Sequence, residues 1–448
     1  MISAIGRHLT AVLAVALTLV HASPPLPSED SFYAVPDNLE SVKPGTILRH
    51  RPPPSPIAAF GFDPINLQAS HQILYRTTDS LGNATATVLS VLVPHNADYT
   101  KLLSYQVAED ASNINCAPSY AFQFAHADSK MGTMVTEEEM LLIEAALERG
   151  WVVISPDFLG PKGSFLANHL SGYATLDGIR AAISSETITG ISSNPTIAMW
   201  GYSGGSVASL FAAELQPSYA PELKIAGAAV GGIVPNITNV VTTVNGKGYA
   251  GLIPAGVLGL THQYPELGPV VSQHVLPEHR ADLYKAQEQC YGANNNDYAN
   301  VDIVGYFDDR QLVYTNPVAV KILNENAHGH YTPKIPLFMY KSVGDEISPI
   351  PDTDALVKQY CANGANIRYH RDIKSNHGDL AIIAAAKALS YLIDTMEGRT
   401  HAEGCSTETV YSTLLDIATL EVLPKFLLDA LLDLLHKPVG PIIGRAVN

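Results

Sequence analysis

Charged side chains are scarce in this chain of 448 residues. Aspartate, glutamate, lysine and arginine make up 16% of it, whereas about 25% is usual in soluble proteins. Basic residues are the rarer class, because 27 lysines and arginines stand against 43 acidic residues, and the formal net charge is −16. Nucleic acids and anionic membranes bind basic surfaces, so the composition argues against both as partners.

Long apolar runs are absent after residue 22, and we therefore expect no transmembrane segment. The run inside residues 1–22 follows one basic residue, Arg7, ends near Ala22 and is shorter than the ~20 residues that a spanning helix needs. It is typical of a cleavable signal peptide, and we predict a secreted, extracellular protein. Two sequons, which begin at Asn83 and Asn236, are predicted to be glycosylated surface positions.

Cysteine is also rare, with four residues and no C-x-x-C spacing. This pattern argues against a metal ribbon or a thiol redox motif, and in an oxidising compartment it favours two disulfides. Four cysteines allow three pairings, of which we favour Cys116 with Cys290 and Cys361 with Cys405. The second pair closes a loop that the chain-entropy model values at about 4 kcal/mol.

The most informative stretch is 196–207, with the sequence TIAMWGYSGGSV. Residues suited to a buried strand lead into a G-x-S-x-G motif, and a run of small, helix-compatible residues follows. Such a strand, sharp turn and helix hold the serine hydroxyl exposed above the sheet, next to the N-terminal N–H groups of the helix. Gly201 and Gly205 are needed where a β-carbon would collide at the crossing of strand and helix. We therefore predict that Ser203 is a nucleophile.

Segments of strand and helix character alternate along the chain, which favours a doubly wound, mostly parallel α/β sheet. Helices are predicted at 136–149 and 173–184. The predicted strands are 70–77, 84–94, 101–107, 151–155, 196–200, 223–230, 335–340 and 367–370.

The chain is long for one domain, so we expect a main domain with an insertion. Clear alternation of strand and helix is missing between 233 and 332, and we predict an inserted helical cap there, over the C-terminal edge of the sheet. The remaining parts are an extended arm at 23–54, a core at 55–232 and 333–405, and a helical tail or flap at 406–448. An amphipathic helix at 420–436 is a flap, an interfacial contact or, as we favour, a packed terminal helix.

Asp345 and His377 each follow a predicted strand, where open α/β sheets place their ligands. With Ser203 they give the order serine, acid, histidine that is found in α/β-hydrolases. A serine hydroxyl is a weak nucleophile near neutral pH, so a neutral imidazole must take its proton and a carboxylate must orient the imidazole. The competing candidates are the acids Asp308, Asp309 and Asp372 and the histidines His328, His330 and His370. His328 and His330 have no further ligand at a spacing that would make a metal site.

Further stretches carry more specific motifs. They are AEDASNINCAPSY at 108–120, ISPDFLGPKGSF at 154–165, LDGIRA at 176–181, GYSGG at 201–205, SYAPELKIAGAAVGG at 218–232 and GDEISP at 344–349. Over most of residues 40–405 the chain resembles the fungal secretory lipases of the lipase A type. The resemblance implies an α/β-hydrolase with a helical cap that cleaves carboxylic esters without a metal or cofactor. It also implies disulfides at Cys116 and at Cys361 with Cys405.

An oxyanion hole needs two donors aimed at the developing negative charge. One is predicted to be the Gly204 N–H, directly after the nucleophile. The chain has no HGGG loop to supply the other. The resemblance implies Asp110 as the second donor, through its N–H or through a side chain that burial keeps protonated, and both alternatives stay open.

Three functions compete at this point. A lipase that acts on emulsified acylglycerols at an oil–water interface requires a long apolar acyl tunnel and a cap that opens. A short-acyl esterase, such as a deacetylase of a fungal secondary metabolite, requires a shallow acyl pocket beside the same triad. A non-catalytic binding protein on a hydrolase scaffold is disfavoured by the intact Ser203, Asp345 and His377. The resemblance favours the lipase.

Overall fold

One mixed sheet forms the centre of the protein in this computed structural model. The structure describes residues 23–59, 63–125, 134–399, 401–416 and 437–441. The predicted signal peptide and the predicted helix at 420–436 lie outside the described residues. The ten strands of the sheet are β1 (Ile47–Arg51), β2 (Ala69–Thr78), β3 (Ala84–Val93), β4 (Asp98–Gln106), β5 (Trp151–Pro156), β6 (Thr196–Tyr202), β7 (Ile225–Gly231), β8 (Leu337–Ser342), β9 (Ile367–Asp372) and β10 (Cys405–Val410).

The strands follow the spatial order β1-β2-β3-β5-β4-β6-β7-β8-β9-β10. The pairs β1–β2, β2–β3 and β3–β5 are antiparallel, and the six pairs that follow are parallel. A separate small ribbon pairs Ala58–Ala59 with Asp63–Pro64. The doubly wound, mostly parallel sheet that the sequence predicts is confirmed.

Helices cover both faces of this sheet and build the segment 233–332, which we call the cap. Before the cap lie α1 (Pro118–Ala121), α2 (Met134–Leu147), α3 (Asn168–Ile183), α4 (Glu186–Thr189) and α5 (Gly204–Tyr219). The cap contains seven α-helices and no strand: α6 (Ile237–Val244), α7 (Leu252–Gln263), α8 (Leu267–His274), α9 (Arg280–Lys285), α10 (Tyr291–Tyr298), α11 (Leu312–Thr315) and α12 (Pro317–Glu325). After the cap follow α13 (Ile350–Ala362), α14 (His377–Ile383) and α15 (Ala385–Met396). Short 3-10 helices occur at Ser31–Tyr33, Ile114–Cys116, Pro277–His279, Ala286–Glu288, Ile303–Tyr306 and Thr413–Leu415.

Two apolar layers enclose the sheet because successive strand residues point to opposite faces. Leu337 and Met339 of β8 belong to the layer that contains α3, α5 and α13. Phe338 and Tyr340 belong to the layer that contains α2 and α15. Since both faces are buried, the central strands are almost continuously apolar, which is why the sequence marks them clearly.

The cap has an apolar cluster of its own. Val244, Leu258, Leu283 and Ile322 come from four different cap helices and are fully buried in it. The cap therefore packs as a small helical layer rather than as a long loop. None of the helices in the described part of the chain is long and apolar enough to cross a membrane.

The C-terminal edge of the sheet differs from the prediction. The sequence predicts 367–370 as the last strand and 406–448 as a helical tail or flap, but Cys405–Val410 forms the edge strand β10. At residues 405–410 the prediction is wrong, because the strand has the polar sequence CSTETV and is largely exposed, so no apolar alternation marks it. At the other edge, the predicted arm at 23–54 supplies β1.

Two disulfides are present, and they join the same pairs that we favour from the sequence. Cys116–Cys290 links the core segment after β4 to the cap. Cys361–Cys405 links the end of α13 to the start of β10. The second bond fixes a polar edge strand that has little apolar surface of its own to hold it.

Candidate active site

A sharp turn between β6 and α5 presents Ser203. Ser203 has φ 50° and ψ −122°, a left-handed φ that a residue with a side chain adopts rarely. A β-carbon on Gly205 would lie 1.9 Å from the Gln106 carbonyl oxygen, and one on Gly201 would lie 2.3 Å from the Gly205 carbonyl oxygen. The two glycines thus allow β6, the turn and α5 to cross closely. The Ser203 N–H donates to the Gly231 carbonyl oxygen at 2.9 Å, which ties the turn to β7.

The structure brings the three predicted side chains together. His377 Nε2 lies 2.9 Å from the Ser203 hydroxyl oxygen, and His377 Nδ1 lies 2.6 Å from Asp345 Oδ2. A carboxylate accepts hydrogen bonds, so Nδ1 carries the proton in this arrangement and Nε2 is left to accept from the serine. Chemically, the arrangement can remove a proton from Ser203 and stabilise the resulting imidazolium.

Neighbouring groups fix the position of His377. The backbone N–H of His377 donates to Glu346 Oε2 at 2.8 Å, and its backbone carbonyl oxygen accepts from the Tyr202 hydroxyl. Asn376 caps α14 by accepting from the Asp379 N–H at 2.7 Å. His377 is therefore the first residue of a capped helix, and its ring has a defined orientation.

Four donors surround the Asp345 carboxylate. Oδ1 accepts from the backbone N–H groups of Ile347 at 2.9 Å and Ser348 at 2.8 Å. Oδ2 accepts from His377 and, at 2.7 Å, from Lys341 Nζ. Burial raises the pKa of Asp345, but the charges and hydrogen bonds of His377 and Lys341 outweigh it, so the pKa lies well below its usual value.

Lys341 is a site residue that the sequence analysis missed. It lies in β8, and its side chain is fully buried beside Asp345. Burial lowers its pKa, while Asp345 opposes that shift. The available signal was a lysine directly after the apolar residues LFMY of the predicted strand, because a buried charge needs a partner.

Asp110 lies against the residue after the nucleophile. A β-carbon on Gly204 would fall 2.1 Å from Asp110 Oδ1, so the carboxyl rests on the Gly204 backbone. Gly204 is the first residue of α5, where the N–H has no partner within the helix. Burial raises the pKa of Asp110 to about 6, and the nearby His377 works in the opposite direction. Both candidate donors of an oxyanion hole therefore stand side by side.

A second buried carboxyl, Glu109, precedes Asp110. Within the described part of the chain, neither of its side-chain oxygens has a hydrogen-bond partner. Burial, followed by the nearby Asp157 and Asp110, raises its pKa well above the usual value. Burial thus favours the protonated form of Glu109 beside Asp110.

An apolar cavity of about 140 Å³ opens beside Ser203 and runs under the cap. Core residues such as Phe158, Phe165 and Val207 form one wall. Phe307, Asp309 and Arg310 of the cap and Asn168 of the core also line it. Aliphatic cap residues form most of the remaining lining: Ile237, Val240, Val241, Leu252, Ile253, Val257, Leu260, Leu267, Val270, Val271, Leu312, Val313, Ile322 and Leu323. Such a lining suits a hydrocarbon chain and offers it few polar contacts.

The competing candidates have partners outside the triad, although Asp309 also lines the cavity beside Ser203. His370 contacts Thr413 and Glu408, and Asp372 accepts from Thr413 and Ser375. The others pair as follows: Asp308 with His274, Asp309 with the Gln311 N–H, His328 with Glu214 and His330 with the Asn324 carbonyl. Among the described residues, no group of three or more histidine, cysteine, aspartate or glutamate side chains is arranged to hold a metal ion.

Comparison with known proteins identifies the family. The family model described as "Secretory lipase" matches residues 125–404. The chain belongs to the secretory lipase family. Ser203, Asp345 and His377 fall inside the matched range, whereas Asp110 precedes it.

Two relatives and one solved structure illustrate the similarity. Lipase A of Arthroderma benhamiae is 49% identical over 430 residues, which are 95% of this chain and 91% of the relative. Lipase 1 of Candida albicans is 39% identical over 412 residues, which are 88% of this chain and 86% of the relative. Candida antarctica lipase A in its closed state superposes with a TM-score of 0.81 at 29% identity, covering 94% of this chain and 100% of that one.

Membership of the secretory lipase family has two consequences. The protein is an extracellular carboxylic ester hydrolase, and its fold is that of the α/β-hydrolases.

A more distant structure, the rice cell wall degrading esterase LipA of Xanthomonas oryzae, has a TM-score of 0.58 at 15% identity and covers 80% of this chain and 98% of its own. At that identity the likeness extends to the fold alone.

Proposed function

We propose that the protein is a lipase that hydrolyses acylglycerols through an acyl-enzyme. Ser203 is the nucleophile, His377 the general base and acid, and Asp345 the residue that orients the imidazole. The observation that carries the proposal is the unbroken run of hydrogen bonds from Ser203 through His377 to Asp345, at 2.9 and 2.6 Å. Ser203, at the start of this run, lines the apolar cavity, so an ester carbonyl bound there can reach the serine hydroxyl.

The reaction proceeds in two halves. Ser203 Oγ attacks the ester carbonyl carbon while His377 Nε2 takes the hydroxyl proton, and the carbonyl oxygen becomes an oxyanion facing the Gly204 N–H. The bond to the alcohol then breaks, and His377 returns its proton to the leaving oxygen, which yields an acyl-serine and a free alcohol. Water then attacks the acyl carbon while His377 takes its proton, the bond from that carbon to Ser203 Oγ breaks, and His377 returns the proton to Oγ as the fatty acid leaves.

The cavity supports a long acyl group. Its wall is formed mainly by apolar side chains of core and cap, and each buried methylene of a substrate contributes up to about 0.8 kcal/mol. A deacetylase binds only an acetyl group, for which a shallow pocket is sufficient. The lipase names of the relatives favour the same choice.

The acyl preference is tested with p-nitrophenyl esters from acetyl to palmitoyl. If each methylene contributes only half of the full value, kcat/KM rises about tenfold over four methylenes. We expect that rise beyond butyryl, and a further increase when an emulsified oil phase is present. Val241→Trp, which narrows the cavity, should remove the preference for long chains and spare acetyl hydrolysis. Activity confined to acetyl esters in the unmodified protein would contradict the lipase and support the deacetylase.

Asp110 is proposed to complete the oxyanion hole through its protonated side chain. With a pKa of about 6, the carboxyl is a donor below that pH and loses its proton as the pH rises through it. The negative charge that develops on the substrate favours the protonated form further. Asp110→Ala should lower kcat about 10²–10³-fold, whereas Asp110→Asn, whose amide donates at every pH, should keep most of the activity.

The pH dependence of the hydrolysis rate shows whether the side-chain carboxyl of Asp110 or its backbone N–H is the donor. If the carboxyl donates, the rate of the asparagine variant relative to the unmodified enzyme rises between about pH 5 and about pH 8. An alanine variant with full activity would instead assign the donor to the backbone N–H of residue 110. Rates are measured on a soluble short-chain ester, so that no interface affects them.

A further inference from the structure

Lys341 is an unusual residue for its position. In β8 it follows Leu337 and Met339 on the same face of the strand, where the other side chains are apolar, and it is 0% exposed. Its Nζ donates to Asp345 Oδ2 at 2.7 Å and to the Ile233 carbonyl oxygen at 2.8 Å. Burying a charge costs several kcal/mol in desolvation, and a buried ion pair often gives no net stability in return. Stability alone is therefore a weak reason for a lysine here.

We propose that Lys341 is a positioning residue: it holds the Asp345 carboxylate and offsets part of its negative charge, and thereby limits the protonation of His377. The proposal rests on the proposed function, because it gives Lys341 a role in that triad.

The geometry couples Lys341 directly to the imidazole. Lys341 and His377 donate to the same oxygen, Asp345 Oδ2, at 2.7 and 2.6 Å. Two backbone N–H groups occupy the other oxygen, so the carboxylate has no freedom to turn away from either side chain. A cation on Oδ2 reduces the negative potential at Nδ1, which makes an imidazolium there less favourable.

The acidic groups around His377 and Lys341 give a reason for a cation at this position. In the described part of the chain, the titratable groups that contact His377 or Lys341 or interact electrostatically with them are Asp110, Asp345, Glu346, Asp352 and the phenol of Tyr202. All of these are acids or phenols, and Lys341 supplies a cation among them. An imidazole beside several carboxylates gains a proton easily, and a protonated imidazole cannot act as the base.

The test compares three variants through the pH profile of kcat/KM on a soluble short-chain ester. Lys341→Met removes the charge and the donor, Lys341→Gln keeps a donor without the charge, and Lys341→Arg keeps the charge. We expect the acid limb of the profile to move to higher pH by about one unit in the methionine and glutamine variants. The arginine variant should keep the limb in place. Lys334→Met, which removes an exposed lysine ahead of the same strand, is the matched control and should not move it.

Thermal unfolding, followed over the same pH range, separates positioning from a purely structural role. A structural lysine would lower the melting temperature and kcat while leaving the acid limb where it is, and that result in the glutamine variant would overturn the proposal. If the methionine variant fails to fold, the glutamine variant decides. Ester hydrolysis that survives Ser203→Ala would refute the triad itself, so the two failures are distinguishable.

Discussion

Replacing Ser203 with alanine is expected to lower kcat about a millionfold while the protein still folds. A methyl group cannot attack the ester, and the lost hydrogen bond to His377 Nε2 removes the first step of the proposed reaction. The fold should tolerate the change because the native residue already has a β-carbon at φ 50°. Hydrolysis of a p-nitrophenyl ester and labelling by an organophosphonate, which reacts with activated serines, measure the effect.

The matched control for this prediction is Ser218→Ala. Ser218 lies near the end of the same helix, α5, and its hydroxyl bonds to the Leu215 carbonyl within that helix. The control should hydrolyse esters and take up the label like the unmodified enzyme. An alanine variant of Ser203 that keeps substantial activity would mean that another residue is the nucleophile.

The proximity of Ser203, Asp345 and His377 could be predicted because parallel strands impose a simple rule. The carboxyl ends of parallel strands meet along one edge of the sheet, so residues that follow β6, β8 and β9 are neighbours in space although they are distant in sequence. Ser203, Asp345 and His377 follow those three strands. The strands themselves were recognisable since burial on both faces makes them continuously apolar.

Other features depend on contacts that no local pattern records. The edge strand β10 is polar and carries no apolar alternation, so nothing in residues 405–410 distinguishes it from a loop. The apolar cavity is lined by residues from short helices far apart in the chain, such as Val241, Leu252 and Ile322. Which residues meet there depends on how the cap helices pack. Lys341 was in the sequence throughout, but its partner is set by the way β8 runs into the following loop.

The second large effect is expected from Asp345→Asn, which should lower kcat about 10⁴-fold. An asparagine can present its NH₂ group to His377, and this favours the tautomer in which Nε2 carries the proton and cannot accept one from Ser203. The same change leaves the buried Lys341 without a negative partner. Removing one member of a buried ion pair costs about 3–5 kcal/mol, so the free energy of unfolding should fall as well.

The pH dependence of this loss has a definite sign. The folded-state pKa of Asp345 lies below its ordinary value, so its ionisation stabilises the native protein above about pH 3.9 and this contribution is lost as the pH falls. The asparagine variant has no carboxylate at this position and should lose less stability on acidification than the unmodified protein. Asp354→Asn is the control, because Asp354 pairs with Arg371 at 3.2 Å on the partly exposed surface, where such pairs contribute about 0–1 kcal/mol.

A double variant separates the two consequences of losing Asp345. Adding Lys341→Met to Asp345→Asn removes the unpaired cation, so part of the lost stability should return. Activity should not return, because the imidazole still lacks the carboxylate that sets its tautomer. If the double variant is no more stable than Asp345→Asn alone, the buried lysine is not the source of the instability. If Asp345→Asn alone keeps its activity, the Asp345 carboxylate does not orient His377, and a different acid must have that role.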